Sequence, residues 1–470
     1  MIALQELSWC DPAAVFALWS DDLYVAWLDS AATADPRSRY SYLCVEPFQV
    51  LQAKGDHVTI NNVAVEGDPF RVLQRELARW RLPPGQAPVP FVGGAVGFLG
   101  YELGRHLERL PQRHGDDLGI PDIVVSFYDV VLAFDAVARR CWLISTGFPE
   151  TEPTKRRWRA TARGNAVLRR LKTRAAVSSA GSGKPVTAVW RPELTRADYE
   201  NRVARVLDYI RAGDIFQANF TTRYLARRPP GLRAADLYRR LRAVTPAPFA
   251  AFLGCGPRLA LGSASPERFL RLDPRGNVET RPIKGTRPRH PNPDADAAAR
   301  NDLAVSEKDR AENLMIADLM RNDIGRVAEI GSVTVPSLCD IESFASVHHL
   351  VSAIEGRLRP GLGPVDLVRA TFPGGSVTGA PKVRAMEIID ELEVARRGPY
   401  CGTITWIGFD GAMDSSIVIR TVVITPELLV AQAGGGIVAD SNPGAEYEEQ
   451  WVKVRPLLQA TGMPVSGVRP

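Results

Sequence analysis

The fold class with which the sequence is compatible is α+β. Two observations are compatible with it: helices that begin on recognisable caps and carry apolar stripes, and strands that alternate polar and apolar residues. In the first third, Tyr24–Leu28, Tyr40–Cys44 and Ile123–Phe134 read as strands. Pro69–Trp80 reads as a helix whose stripe is Val72, Leu73 and Leu77. PFVGGAVGFLGYELG (Pro90–Gly104) is apolar and punctuated by glycine, so its backbone packs closely against neighbours. Further on, Thr195 with Asp198 three residues later starts a helix with the stripe Tyr199, Val203, Val206 and Ile210, ended by Gly213. The next segment, IFQANFTTRYLA, alternates: Gln217, Asn219, Thr221 and Arg223 share one face, and Phe216, Ala218, Phe220 and Tyr224 the other. Such a polar face is either the wall of a site or one side of an ordinary half-exposed strand.

The 470 residues suffice for a sizeable core, and 45% hydrophobic with 24% charged residues is ordinary for a soluble globular protein. The six cysteines show no C-x-x-C spacing, which suggests neither zinc nor a disulfide framework and fits a reducing cytosol. MIALQELSWCDPAA is not a signal peptide, and no apolar run is long enough to span a bilayer. These features predict a cytoplasmic protein with no membrane partner.

The net charge of +5 is unevenly spread. Lys155–Trp190 is rich in Lys and Arg and contains no Asp or Glu. Its first part, TKRRWRATARGNAVLRRLKTR, is a basic helix candidate, followed by AAVSSAGSGKP, a flexible linker composition. Without aromatic interleaving or a nucleic-acid motif, a solvated helix face is favoured over nucleic-acid binding.

Three constellations carry chemistry. In SEKDRAENLMIADLMRND, capped by Ser306 with Asp309, Glu312 falls in the middle of the arc of Met315, Ile316, Leu319 and Met320. A carboxylate on an apolar face must be neutralised, paired or bound to a metal. In PGAEYEEQWVKVRPLL, Glu446, Glu449 and Lys453 share one helix face, and Glu448 points away. With Glu312 these form a set of carboxylates lacking His or Cys, which suits a hard cation such as magnesium; surface helix pairing and a salt bridge from Glu312 to an Arg are the alternatives. Third come two glycine-rich loops. FPGGSVTGAPK leads into the helix Pro381–Leu392 but lacks the Lys-Ser/Thr of a Walker A loop, and AGGGIVAD directly precedes the carboxylate helix. Both present backbone N–H groups to an anion. Together the three describe a site for a small polyanion, without naming it.

SPERF, RPIKGTRPR, SEKDRAENLMIADLMRNDIGRV, VHHLVS, FPGGSVTGAPKVRAMEIIDELE and AGGGIVADS, in this order over Thr195–Leu458, resemble the chorismate-binding family. That family includes anthranilate, aminodeoxychorismate, isochorismate and salicylate synthases. LDSAATADPRSRYSYL resembles the amino-terminal region of its two amidotransferase-coupled members. The resemblance implies two large, mainly antiparallel sheets packed as a sandwich with helices outside. It implies an amino-terminal region over 1–150, the basic helix and linker over 151–190, and a catalytic region over 191–465 that shares the sandwich.

It also implies roles. Glu312 and Glu449 correspond to ligands of Mg2+, with Glu446 close by. Gly285, Thr286, Thr378, Tyr400, Arg420, Gly434, Gly435, Gly436 and Lys453 match positions that hold substrate. Glu267 matches the acid that helps the C4 hydroxyl leave, and His349 an active-site histidine. Ser30, Arg37, Ser38, Arg39 and Tyr40, with Pro248, Phe249 and Ala250, match a tryptophan pocket of relatives. Members that add water carry Lys where this chain has Gln217, and a Gln cannot act as a base at neutral pH. Lys284 stands where ortho-aminating members usually carry Ala and para-aminating members Lys.

The implied activity is therefore conversion of chorismate and ammonia to 4-amino-4-deoxychorismate, towards p-aminobenzoate and folate. Its ammonia would come from a separate glutamine amidotransferase subunit, because the chain lacks a Cys-His-Glu glutaminase pattern. Ortho amination by an anthranilate synthase component I is the alternative, and a plain carboxylate-binding lysine is the alternative for Lys284.

Overall fold

The computed structural model describes residues 2–32, 35–172, 187–344 and 347–462; the Ser/Gly stretch at 175–185 lies outside them. Two sheets dominate, each of twelve strands among the described residues. The first runs Ala3–Leu7, Arg140–Ser145, Val130–Asp135, Tyr40–Cys44, Ala26–Asp29, Phe249–Gly254, Ala260–Ser265, Thr421–Ile424, Leu428–Ile437, Gln217–Arg227 and Trp190–Pro192, with Gly379–Ala380 paired to Gln217–Arg227. The second runs Ile283–Pro288, Val347–Arg357, Asn277–Thr280, Arg268–Leu272, Met413–Ile417, Thr403–Gly408, Gly94–Leu99, Ile123–Tyr128, Gln49–Lys54, His57–Ile60 and Val63–Val65, with Thr334–Ser343 paired to Val347–Arg357. Neighbouring strands run antiparallel, as in the pairs of Gln217–Arg227 with Leu428–Ile437 and of Ile283–Pro288 with Val347–Arg357. In each sheet a block of strands from the first third of the chain is joined edge to edge to a block from the remainder, so neither part forms a sheet alone.

The main apolar core lies between the sheets. Tyr42, Cys44, Ala251 and Leu253 of the first meet Leu51, Phe98, Phe127 and Ile404 of the second. Burial of this kind is the dominant stabilising term of such a sandwich. On the outer face of the first sheet, Tyr238 and Leu241 of the helix Ala234–Val244 pack with Val454 and Leu457 of the carboxy-terminal helix Pro443–Gln459. This is the α+β sandwich that the resemblance implies.

Local expectations hold where the signal is local. Thr195 accepts the Asp198 N–H at 3.2 Å and caps the helix Arg196–Arg211. Ser306 accepts the Asp309 N–H at 3.3 Å and caps Glu307–Gly325. Gly97 lies so close to the next strand that a Cβ there would fall 1.9 Å from the Val124 carbonyl oxygen. The helix predicted from Pro381 begins at Lys382, with Pro381 as its cap.

Two expectations differ. The segment Ile123–Phe134 is not one strand but two, Ile123–Tyr128 in the second sheet and Val130–Asp135 in the first. The chain changes sheets at Asp129, whose buried carboxylate Arg163 contacts at 3.1 Å. An unbroken apolar run carries no mark of such a crossing, because both halves are buried on both faces. Phe216, expected on the apolar face of its strand, precedes the strand and is 71% exposed.

The basic helix is Pro153–Lys172. Arg156 and Arg159 donate to the carbonyls of Thr146 and Phe148, Arg163 reaches Glu46 and Asp129, and Arg170 reaches Asp22. Four of its arginines are thus spent holding the helix against the molecule.

Candidate functional site

A cleft of about 1060 Å³ opens where the two sheets meet. It takes backbone and side chains from Ile283–Pro288 and Val347–Arg357 of the second sheet and from Leu428–Ile437 of the first. The helices Glu307–Gly325 and Pro443–Gln459 close its sides. Of the residues singled out from the sequence, Glu267, Lys284, Gly285, Thr286, Glu312, His349, Tyr400, Arg420, Gly434, Gly436, Glu449 and Lys453 line it. Gln217, Thr378 and Glu446 are buried beside it, and Gly435 lies within the same strand as its glycine neighbours.

Two clusters meet on the glycine strand. Successive residues of a strand face opposite sides. A Cβ on Gly435 would stand 3.1 Å from Glu446 Oε2 and 3.6 Å from Glu449 Oε1 and Lys453 Nζ. A Cβ on Gly436 would stand 2.9 Å from Gln217 Nε2 and 3.3 Å from Lys284 Nζ. Bare backbone at these positions leaves room for functional groups from three other elements, Pro443–Gln459, Gln217–Arg227 and Ile283–Pro288, to converge. Gln217 is fully buried, and neither its Oε1 nor its Nε2 has a hydrogen-bond partner among the described residues. A buried amide left unpaired is costly unless something else meets it.

Glu312, Glu449 and Glu446 each have a lysine beside them. Lys284 Nζ lies 3.8 Å from Glu312 Oε2, so the partner of Glu312 is the catalytic candidate and not an arginine. Lys453 Nζ lies 2.6 Å from Glu449 and 2.9 Å from the Gly434 carbonyl oxygen. Lys308 Nζ lies 3.4 Å from Glu446, which also accepts the Ser441 hydroxyl at 2.7 Å. Burial raises the Glu312 carboxyl above its ordinary pKa. For Glu449 burial acts the same way, but Lys453, Lys308 and Lys284 outweigh it and hold that carboxyl below the usual value. Glu448 turns away and pairs with Arg196 at 2.9 Å.

Glu267 is 8% exposed, and burial raises its pKa against the opposing hydrogen bond from Ser376. Such a carboxyl keeps its proton to higher pH, which suits an acid. His349 shares a hydrogen bond of 2.9 Å between its Nδ1 and Thr286 Oγ1; burial lowers its pKa to about 4, so the ring is neutral at neutral pH. Thr378 turns its hydroxyl back onto the Gly374 carbonyl at 3.0 Å. Lys308 and Ser376 were not singled out from the sequence. Lys308 lies one helical turn before Glu312, so helix spacing alone could have flagged it.

The proposed tryptophan-pocket positions divide between two cavities. Arg37 and Pro248 line the large cleft, where the Arg37 guanidinium lies 4.3 Å from the centre of the Phe344 ring. Ser30, Ser38 and Arg39 line a second cavity of about 890 Å³. Ser30 donates to the Tyr40 carbonyl, Arg39 reaches Asp135 at 2.8 Å, and Phe249 stacks under Arg268 at 5.1 Å. Ala250 is buried between Asp29 and Ala264 of the flanking strands.

By donor chemistry the three carboxylates suit a divalent cation. Glu446 and Glu449 converge over Gly435, Glu312 lies within 3.8 Å of a second lysine, and all three are oxygen donors. Among the described residues no three acidic, His or Cys side chains come close enough to hold an ion by themselves. That arrangement fits a magnesium ion that takes few protein ligands and completes its shell with water and substrate oxygens.

Lysines, carboxylates and bare backbone thus meet in one cleft. A family model described as chorismate binding enzyme matches residues 25–459, and the chain belongs to that family. It is 42% identical over 463 residues to the aminodeoxychorismate synthase component 1 of Klebsiella aerogenes, covering 97% of this chain and 98% of the relative. It is 40% identical to the anthranilate synthase component 1 of Streptomyces coelicolor, covering 92% and 83%. Among solved structures, anthranilate synthase component I from Streptococcus pneumoniae superposes with a TM-score of 0.79 at 31% identity, covering 89% of this chain and 92% of that one.

Gly436→Ala should lower kcat by about tenfold to 100-fold, the scale set by displacing reacting groups by about an ångström. Its extended backbone accepts alanine, so the thermal midpoint should stay near that of the parent. A variant with parental kcat would show that Gln217 and Lys284 do not need their present positions.

Proposed function

We propose that this protein converts chorismate and ammonia to 4-amino-4-deoxychorismate, with Mg2+ as cofactor and with ammonia supplied by a glutamine amidotransferase partner. The observation that carries the reading is the meeting of Lys284 and Gln217 over Gly436 inside the cleft. An amine and a neutral amide stand where a water-adding enzyme needs a base, which favours a nitrogen nucleophile over water. The name of the Klebsiella relative supports the same reading.

In this mechanism the Lys284 amine adds at C2, the ring double bonds shift, and the C4 hydroxyl leaves as water with a proton from Glu267. The enzyme then holds a covalent adduct. Ammonia attacks C4, the double bonds shift back, and the Lys284 amine is expelled. Gln217 offers an amide to the substrate and cannot take a proton, so it does not activate water. Lys453, Arg420 and the glycine-strand amides receive the anionic groups. Glu312 and Glu449 would hold the cation, with Glu446 beside them; when bound it supplies positive charge between protein and substrate carboxylates.

Product analysis with chorismate, magnesium chloride and ammonium chloride tests the assignment. The expected product carries its amine para to the ring carboxylate. If 2-aminobenzoate is the main product, the chain acts as the Streptomyces relative is named and the assignment is wrong.

A further inference from the structure

Asn219 shares the polar face of its strand with Gln217 and has no part in the steps described for Lys284 and Glu267. It pairs across the sheet with Gly436, and directly opposed residues project to the same side. Its side chain therefore stands on the side where Gln217 Nε2 and Lys284 Nζ come within 2.9 and 3.3 Å of a Cβ on Gly436. Asn219 lines the cleft and is 6% exposed. Its amide makes no hydrogen bond to any described residue, yet neither of its polar atoms is cut off from solvent.

Its backbone, by contrast, is held on both sides. The Asn219 N–H donates to the Thr378 carbonyl at 2.7 Å, and the Asn219 carbonyl accepts from the Arg397 guanidinium at 2.6 Å. The same guanidinium donates to the Val377 carbonyl at 2.8 Å, so the strand is tied to the short turn Gly375–Val377, which carries Ser376. Ser376 in turn hydrogen-bonds the Glu267 carboxyl. One flank of Asn219 thus leads to the amine and the other to the acid. A fixed backbone with an unpaired amide is a preorganised contact for a bound molecule.

A carboxamide offers an accepting oxygen and a donating nitrogen, and it stays neutral. Carboxylates only accept, and the lysines, Arg420 and backbone N–H groups of the cleft suit them better. The ether oxygen of chorismate also only accepts. Its C4 hydroxyl alone both donates and accepts, which is the pattern a carboxamide matches.

We propose that Asn219 is the specificity-determining residue for the group on C4: its amide hydrogen-bonds the C4 hydroxyl of chorismate and holds it beside Glu267. The inference rests on the amination proposed above and adds the residue that reads the leaving group. Asn219 neither gives up nor takes a proton at neutral pH, so it orients the hydroxyl while Glu267 supplies the proton. A site built to hydrogen-bond a hydroxyl rejects the analogue that lacks it, because its own polar group is then left unpaired.

Competitive inhibition of the whole protein tests this, assayed with chorismate, magnesium chloride and ammonium chloride. The probes are two unreactive benzoates that carry chorismate's enolpyruvyl ether at C3, one with a hydroxyl at C4 and one with hydrogen there. The parent should bind the hydroxylated compound about fivefold or more the tighter. Asn219→Ala and Asn219→Leu should each reduce that preference to within about twofold, by weakening the hydroxylated compound alone. A preference that survives in both variants, or a parent that shows none, overturns the proposal. Parallel weakening of both compounds would make Asn219 a structural residue, with the same result. Asn219→Leu keeps the size of the side chain and decides the matter if Asn219→Ala does not fold. A parent that forms no amino product from chorismate sinks the proposed function and this inference with it; one that aminates while both variants keep the preference sinks the role of Asn219 alone.

Discussion

Incubated with chorismate and magnesium but no ammonia source, the protein should gain on Lys284 the mass of chorismate less one water. Lys284→Ala should gain nothing. The amine lies in the cleft, its nitrogen 3.3 Å from where a Cβ on Gly436 would stand, with Gln217 Nε2 2.9 Å from the same point. Without ammonia the second displacement has no nucleophile, and water is not activated because the nearby amide is no base. The adduct therefore accumulates and can be located by peptide mass spectrometry. Formation of 4-amino-4-deoxychorismate by Lys284→Ala should fall by about 100-fold or more, the scale of a single group in proton transfer or nucleophilic catalysis. Any ammonia addition that remains should occur directly at C2 and give the ortho product. Undiminished para amination by Lys284→Ala would reduce Lys284 to a binder of substrate carboxylate.

The second large effect belongs to the carboxylates. Glu312→Gln and Glu449→Gln should each lower turnover by more than about 100-fold, the cost of removing a preorganised charge from a site of this kind. Both substitutions keep the side-chain volume, and both residues lie at the cleft, so the fold should persist. Added magnesium chloride should raise the thermal midpoint of the parent and shift neither variant, because a ligand that binds only the folded state stabilises it by mass action. The midpoint measurement separates loss of the cation from loss of substrate contact. Full activity in either variant would remove that residue from the ligand set.

Part of this site was legible in the chain itself. Helical spacing puts Glu446, Glu449 and Lys453 on one face and Glu448 on the other, and in the structure Glu449 meets Lys453 while Glu448 meets Arg196. Caps at Thr195 and Ser306 are equally local, since side chain and N–H lie three residues apart. The motifs named the family and, with it, the two-sheet sandwich. The polar face of Gln217–Arg227 was visible as alternation, but whether it was wall or surface was not. The strand is buried on both faces, which only its neighbours bring about. Ile123–Phe134 shows the same limit. Its apolar run is continuous, yet it crosses between sheets at Asp129, because the pairing partners of each half lie far away in the chain.

What the sequence by itself determined is the inventory: three carboxylates, Lys453, two glycine loops, Lys284 and Gln217. Periodicity and capping act within a few residues, so one segment suffices to read them. What only the tertiary structure decided is which of these meet. Glu312 is paired by Lys284 and not by an arginine, Lys308 reaches Glu446 across the cleft, and Lys284 and Gln217 converge on one glycine. Arg397, unremarkable in the chain, becomes the tie between Asn219 and Val377 because strands and loops distant in sequence bring their carbonyls to it. Contacts of this kind depend on sheet order and register, which arise from the packing of the whole core and not from any one segment.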